Sequence, residues 1–100
     1  MDDFFIGSIK QFTDISSEAN PDDWFACQGQ LLSIFNFMPL YSLIKTKYGG
    51  DGYSCFKLPD LRVKKSDGSY YKPGEVLPDG STYIESYICV NGDYPTNNSN

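Results

Sequence analysis

The chain has 100 residues, 40% of them hydrophobic and 21% charged, with 13 acidic against 8 basic side chains and a formal net charge of −5. That length predicts one domain over 1–100 with one modest core, and no separate catalytic module. An acidic chain with a single arginine, Arg62, is poorly suited to neutralising phosphates, which argues against nucleic acid and against an anionic membrane surface as partners.

Residues 4–12, from Phe4 to Phe12, are aromatic and β-branched with polar residues interspersed, which predicts a half-buried strand. The opening residues lack the basic region of a secretory signal, and no apolar run reaches a membrane span. A soluble protein made in a cytoplasm is therefore expected. Glu18 to Asp23 reads as a turn punctuated by Asn20-Pro21. Trp24-Phe25-Ala26-Cys27 follows as a short buried strand, and Leu31 to Ile34 as a second one or a hydrophobic corner. One short helix comes next: Asn36 can cap it, Pro39 fits its first turn, and Leu40, Leu43 and Ile44 form an apolar stripe. Lys45 and Lys47 suit its C-terminal end, and Tyr48-Gly49-Gly50 stops it, glycine supplying the left-handed cap.

Beyond the helix, Asp51-Gly52-Tyr53 continues the turn, Cys55 to Leu58 is extended, and Pro59-Asp60 bends the chain. Residues 64–82 form a polar, turn-rich surface loop or a hairpin around Tyr70-Tyr71. Tyr83 to Val90 alternates so that both faces carry apolar side chains, which predicts a central strand. The tail from Pro95 to Asn100 is expected to fray. The sum is a small α+β domain of short strands with one short helix.

Little in the chain suits chemistry. Histidine is absent, which removes most hydrolase triads and the usual general base near neutral pH. Asp22 and Asp23 are adjacent in a turn and cannot pair as acid and base. Asp60, between Pro59 and Leu61, suits a local turn bond better than catalysis. Asp51-Gly52-Tyr53-Ser54 lacks the alternating carboxylates and terminal Glu of a calcium loop. The run Gly49-Gly50-Asp51-Gly52 follows a helix, whereas a phosphate cradle precedes one. Arg62 is best read as half of an ion pair with Asp60 or with a neighbouring subunit. No catalytic residue, metal site or cofactor is expected. Cys27, Cys55 and Cys89 form no C-x-x-C; a Cys27–Cys55 bridge is open, but buried free thiols are favoured. Trp24 reads as core. Tyr48, Tyr53, Tyr70 and Tyr71 exceed what so small a core needs, so Tyr53, Tyr70 and Tyr71 are candidate interface anchors, with sugar stacking as the weaker use.

Three blocks carry a resemblance. Pro21-Asp22-Asp23-Trp24-Phe25-Ala26-Cys27-Gln28-Gly29-Gln30-Leu31-Leu32-Ser33-Ile34 resembles the P-x-G-W-x-x-C-D-G-Q-x-L opening of the phage tail-collar domain. That family continues with a short helix, Y-G-G-D-G and L-P-D-L-R, matched here by Tyr48-Gly49-Gly50-Asp51-Gly52 and Leu58-Pro59-Asp60-Leu61-Arg62. Ile6-Gly7-Ser8-Ile9 is similar to the family's G-x-I start, so the motif covers 6–62. Residues 83–90 and the following Asn91 to Pro95 are similar to the closing strand of small microcystin-dependent-type collar proteins, which implies a compact, whole member. The chain departs from the pattern at Asp23 for Gly, Gln28 for Asp, and Val63-Lys64 for Gly-Arg, with the glycine-rich middle region shortened to 64–82. Lacking histidine, it is not expected to build a histidine metal site, and with no fibre shaft in these 100 residues it is not expected to be a long receptor-reaching fibre.

The resemblance implies a non-enzymatic component of the virion tail, at the junction of fibre or tip with the tail body. Its expected partners are other tail or fibre proteins and further copies of itself, as in a trimer, with neither nucleic acid nor membrane insertion. The alternatives are a module binding a host-surface glycan and a part of a tail-derived bacterial injection device.

Overall fold

In the computed structural model of the protein, residues 5–94 are described. Five short strands and two short helices follow in the order β1 (Ile9–Gln11), α1 (Ile15–Glu18), β2 (Trp24–Ala26), β3 (Leu31–Ser33), α2 (Met38–Ile44), β4 (Cys55–Lys57) and β5 (Ser86–Cys89). The strands form two antiparallel sheets, one ordered β1-β5-β2 and the other β3-β4. The fold is α+β.

The last strand organises the first sheet. β5 pairs with β1 through Ile9↔Ile88 and with β2 through Trp24↔Cys89, so it is the central strand that its two-faced alternation predicts. Successive side chains of β5 point to opposite faces and feed two apolar clusters. Ile88 and Val90 pack with Ile6, Cys27, Leu40, Phe56 and Leu58, while Cys89 packs with Phe12 and Trp24. In the smaller cluster the Phe12 ring meets Trp24 edge-on, centroids 5.0 Å apart. Each large apolar side chain fully buried here contributes about 1.5–3 kcal/mol relative to exposure.

The second sheet and α2 form the lid of the larger cluster. β3 pairs with β4 through Leu31↔Lys57, Leu32↔Phe56 and Ser33↔Cys55, and Phe56 points into the core. α2 spans the connection and anchors it with Leu40, which is fully buried.

The local detail departs from the sequence reading at several points. Helix α2 is capped by Phe37, not Asn36, because the Phe37 amide bonds back to the Ser33 and Ile34 carbonyls and continues the preceding turn. It ends at Lys45, the one non-glycine residue with positive φ (51°) among the described residues, so Lys45 and not Gly49 terminates the helix. Leu40 carries the apolar stripe, Ile44 is half-buried, and Leu43 is 37% exposed. A second helix, α1, has no fully buried residue; Ile15 packs half-buried against the smaller cluster, and Ser16 Oγ donates to Asp14 (2.7 Å) and Thr13 Oγ1 to Glu18 (3.2 Å). The first strand narrows to Ile9–Gln11, with an isolated parallel bridge from Phe5 to Asp93. Tyr83 stands outside β5 because its backbone bonds Gly74 and Glu75 of the long loop instead. All three cysteines are free thiols. The expected fraying of 95–100 and the start of the first strand at Phe4 lie outside the described residues.

Candidate functional site

The three motif blocks fold into two braces that hold the sheets together. The first joins the residues after β2 to the turn after β4. Gln28 and Asp60 form an antiparallel bridge, the Gly29 amide donates to the Pro59 carbonyl (3.1 Å), the Leu61 amide to Cys27 (3.0 Å) and the Leu58 amide to Gln30 (3.0 Å). Gly29 sits at φ 75°, and a Cβ there would stand 3.3 Å from Asp60 Cβ, so both the turn and the close approach call for glycine. Gln30 fixes the same turn through Nε2, which donates to the Ala26 carbonyl (2.8 Å), and Oε1, which accepts from the Gln28 amide (3.1 Å). Leu58 and Pro59 are fully buried, whereas Leu31 and Leu61 are exposed.

Asp60 and Arg62 lock this brace. Arg62 Nε donates to Asp60 Oδ1 (2.9 Å) and Nη2 to Oδ2 (2.8 Å), a bidentate fork, and the Arg62 amide also donates to Oδ1 (3.2 Å). Nη2 further donates to the Gln28 carbonyl at 3.0 Å. These bonds hold the Asp60 carboxyl at about 2, below its usual range, and raise the guanidinium above its own. The Arg62 guanidinium carbon lies 3.9 Å from the Tyr70 ring centroid, which ties the brace to the 64–82 loop. Behind it stands Glu85, a carboxylate only 7% exposed, accepting from Gln28 Nε2 at 3.2 Å. The contributions of Gln28 and Glu85 escape the sequence reading; the available signal is a carboxylate set within an apolar alternating strand.

The second brace is the Tyr48–Ser54 loop. Gly49 and Gly50 have φ of 128° and 103°, and a Cβ on Gly50 would collide with the Phe56 backbone and stand 2.7 Å from the Cys55 carbonyl oxygen. Lys57 and Gly49 are bonded through their backbones (3.0 Å), which seats the loop on β4. Asp51 Oδ1 accepts from the amides of Tyr53, Ser54 and Cys55 at 2.8, 2.9 and 3.1 Å, and Oδ2 from the Ser54 hydroxyl at 3.0 Å. Those donors, the Ser54 amide foremost, hold its carboxyl well below the usual range. Its oxygens thus serve the turn. Among the described residues no group of three or more acidic or cysteine side chains could hold a metal ion, and no helix is long and apolar enough to cross a membrane.

Of the three candidate anchors, Tyr53 is 92% exposed. Tyr70 and Tyr71 are half-buried, Tyr70 under Arg62 and Tyr71 under Lys65, whose ammonium lies 5.4 Å from its ring centroid. Trp24 and Cys27 are core. Burial pushes the Cys27 thiol up to about 12, with Glu85 and Asp60 adding to the shift.

A family model, the phage tail collar domain, matches residues 7–64. The match spans more than half of the chain and contains both braces: the chain belongs to the phage tail collar domain family, whose role in the tail is structural. No curated protein and no solved structure matches the chain.

Proposed function

We propose that the protein is a non-enzymatic structural component of a phage tail, acting in tail assembly or fibre attachment, and that it joins neighbouring tail subunits, copies of itself included, through the open end of the β3–β4 sheet. One observation carries this reading. The Ile34 amide donates to the Ser54 carbonyl (3.0 Å) at the end of that sheet, and the residues flanking this pair, Phe35 and Tyr53, are 84% and 92% exposed. Two aromatic residues left open beside a rigid turn match the anchors that dominate protein interfaces. The Asp51 bonds hold the turn that carries Tyr53, so little ordering cost remains on association. Tyr70 and Tyr71, already engaged by cations of the same chain, supply at most the rim. Light scattering on the purified protein tests this: the parent should assemble, and the Phe35→Ser/Tyr53→Ser double variant should remain folded and monomeric. Gold-labelled antibody should decorate the tail of purified particles; unlabelled particles, or assembly unchanged in the variant, would overturn the reading.

A second reading rests on a cavity of about 240 Å3 lined by Phe12, Thr13, Pro73, Gly74, Thr82, Tyr83 and Ile84. Rings and hydroxyls together suit a sugar, which favours a host-surface glycan as ligand. Calorimetry with host polysaccharide decides it, and the absence of saturable heat removes it. A tail-derived injection device would use the same fold and the same interface.

A further inference from the structure

We infer that Asn91 is a spontaneous modification site, losing its side-chain amide by attack of the Gly92 backbone nitrogen, and that the contacts among the described residues close every comparable site but this one. The reaction needs a following residue without a side chain in the way and a backbone N–H free to lose its proton. The Gly92 nitrogen bonds to the Asn91 side-chain carbonyl carbon, ammonia leaves, and a five-membered cyclic imide remains. Water then opens the imide at either carbonyl, giving an aspartate or its isomer with the backbone running through the former side chain. No oxidant or cofactor enters.

Four Asx-Gly pairs fall within the described residues, and three are engaged at both reacting groups. Gly52, Gly68 and Gly80 each donate their amide to a carbonyl, of Cys55 (3.1 Å), Lys65 (3.0 Å) and Leu77 (2.9 Å). The preceding side chains are equally occupied: Asp51 accepts from three amides, Asp67 from the Ser69 amide and hydroxyl, and Asp79 from those of Ser81. The other described asparagines are closed as well. Asn20 precedes Pro21, which has no N–H, and Asn36 precedes Phe37, whose amide is bonded to Ser33 and Ile34.

Asn91-Gly92 is the exception. Both residues are exposed, and neither the Asn91 side-chain amide nor the Gly92 N–H has a hydrogen-bond partner among the described residues. The Asn91 backbone is held, its amide toward the Asp23 carbonyl (3.4 Å) and its carbonyl accepting from the Cys89 thiol (3.2 Å). Ring closure turns the Asn91 side chain and the Asn91–Gly92 peptide plane, and the bond that holds this plane among the described residues is the weak one from the Cys89 thiol.

The position gives the change a consequence. Two residues on, Asp93 accepts the Ile6 amide (2.9 Å) and bridges Phe5, and Tyr94 shares a hydrogen bond with Ser42 (2.6 Å). An extra backbone carbon at Asn91 shifts this clasp relative to β5, and the new charge enters beside Asp93. The modified chain should lose amide protection at Ile6 before it loses its global fold.

Peptide mapping by mass spectrometry tests the inference on the full chain, held at mildly alkaline pH either folded or in urea. Conversion at Asn91 should proceed at similar rates in both, while isomerisation at Asp51, Asp67 and Asp79 should be at least about tenfold slower in the folded chain. Gly92→Ala should slow conversion at Asn91 in both states, and the urea arm gives that answer even where the variant folds poorly. Protection at Asn91 equal to that at the three aspartates, conversion no faster than at Asn20 and Asn36, or a rate unaffected by Gly92→Ala would each overturn it.

Discussion

The Arg62 guanidinium stacks on the Tyr70 ring at 3.9 Å while its nitrogens grip Asp60 and the Gln28 carbonyl. One side chain thereby joins the motif turn, the end of β2 and the 64–82 loop. Lysine cannot do all three, because a point charge lacks both the fork and the flat face. Arg62→Lys should leave the sheets intact and loosen the loop. The Tyr71 amide, which donates to Val63 at 2.9 Å, is the reporter: its hydrogen exchange should rise in the variant, while amides of β5 keep their parent protection.

The Asp60 carboxyl also sets a pH dependence. Its folded value of about 2 is below its unfolded value near 3.8, so the folded state favours the ionised form. The resulting stability is fully present above about pH 4 and is lost as the pH falls towards 2. Because the side chain is 42% exposed, solvent screening keeps this contribution below about 1 kcal/mol. Urea midpoints for the parent and Asp60→Asn should therefore differ most near neutrality and converge in acid. A constant offset across that window would detach Asp60 from the effect.

Glycine substitutions separate strain from collision. At Gly50 an added Cβ meets the Cys55 carbonyl oxygen at 2.7 Å as well as the Phe56 backbone, so Gly50→Ala should cost more than about 3 kcal/mol, or the fold itself. At Gly68 the φ of 93° is equally unfavourable, yet nothing lies within 4 Å. Gly68→Ala should cost only the conformational strain, about 1 kcal/mol. Thermal melts of the pair read the difference.

Much of this fold is legible in the sequence, and the limits have physical causes. The strand at Trp24–Ala26 is readable as a continuous apolar run between turn signals, and the central position of β5 because apolar side chains fall on both faces of residues 83–90. Helix α1 is not, since four residues with a single half-buried apolar side chain, Ile15, leave no periodic trace. The start of α2 depends on where the Phe37 amide finds an acceptor, which is a property of the folded turn. The Asp60–Arg62 lock is local, two residues apart, and is visible in the chain. The Gln28–Glu85 bond spans 57 positions and becomes visible only once β5 is placed beside β2.

The thiols should report the two clusters. Cys27 and Cys89 are buried, and burial raises both above the usual thiol range, Cys27 to about 12. Since the thiolate is the reactive form, neither should react with a thiol reagent near pH 8 while the chain is folded. Cys55 is partly exposed and is the one expected to label. Titration should count one thiol in the native protein and three in urea; two or more in the native state would mean that a cluster opens readily.

Helix α2 provides a contrast between adjacent faces of one apolar stripe. Leu40 is fully enclosed by the larger cluster, so Leu40→Ala removes buried surface and leaves a cavity, for about 2–5 kcal/mol. Leu43, 37% exposed, sits at the margin, with one methyl 3.6 Å from where a Cβ on Gly7 would stand. Leu43→Ala should cost less, about 1 kcal/mol, because over a third of the residue is already wet and the vacated space opens to solvent. The helix is only seven residues long and cannot persist on propensity, so its attachment rests on packing, Leu40 foremost with half-buried Tyr41 and Ile44 beside it. In Leu40→Ala, exchange should therefore accelerate at the Tyr41 and Lys45 amides, which bond to Phe37 and Tyr41, ahead of any loss of the β1-β5-β2 sheet. Equal destabilisation by the two variants would show instead that the helix is held along its whole length.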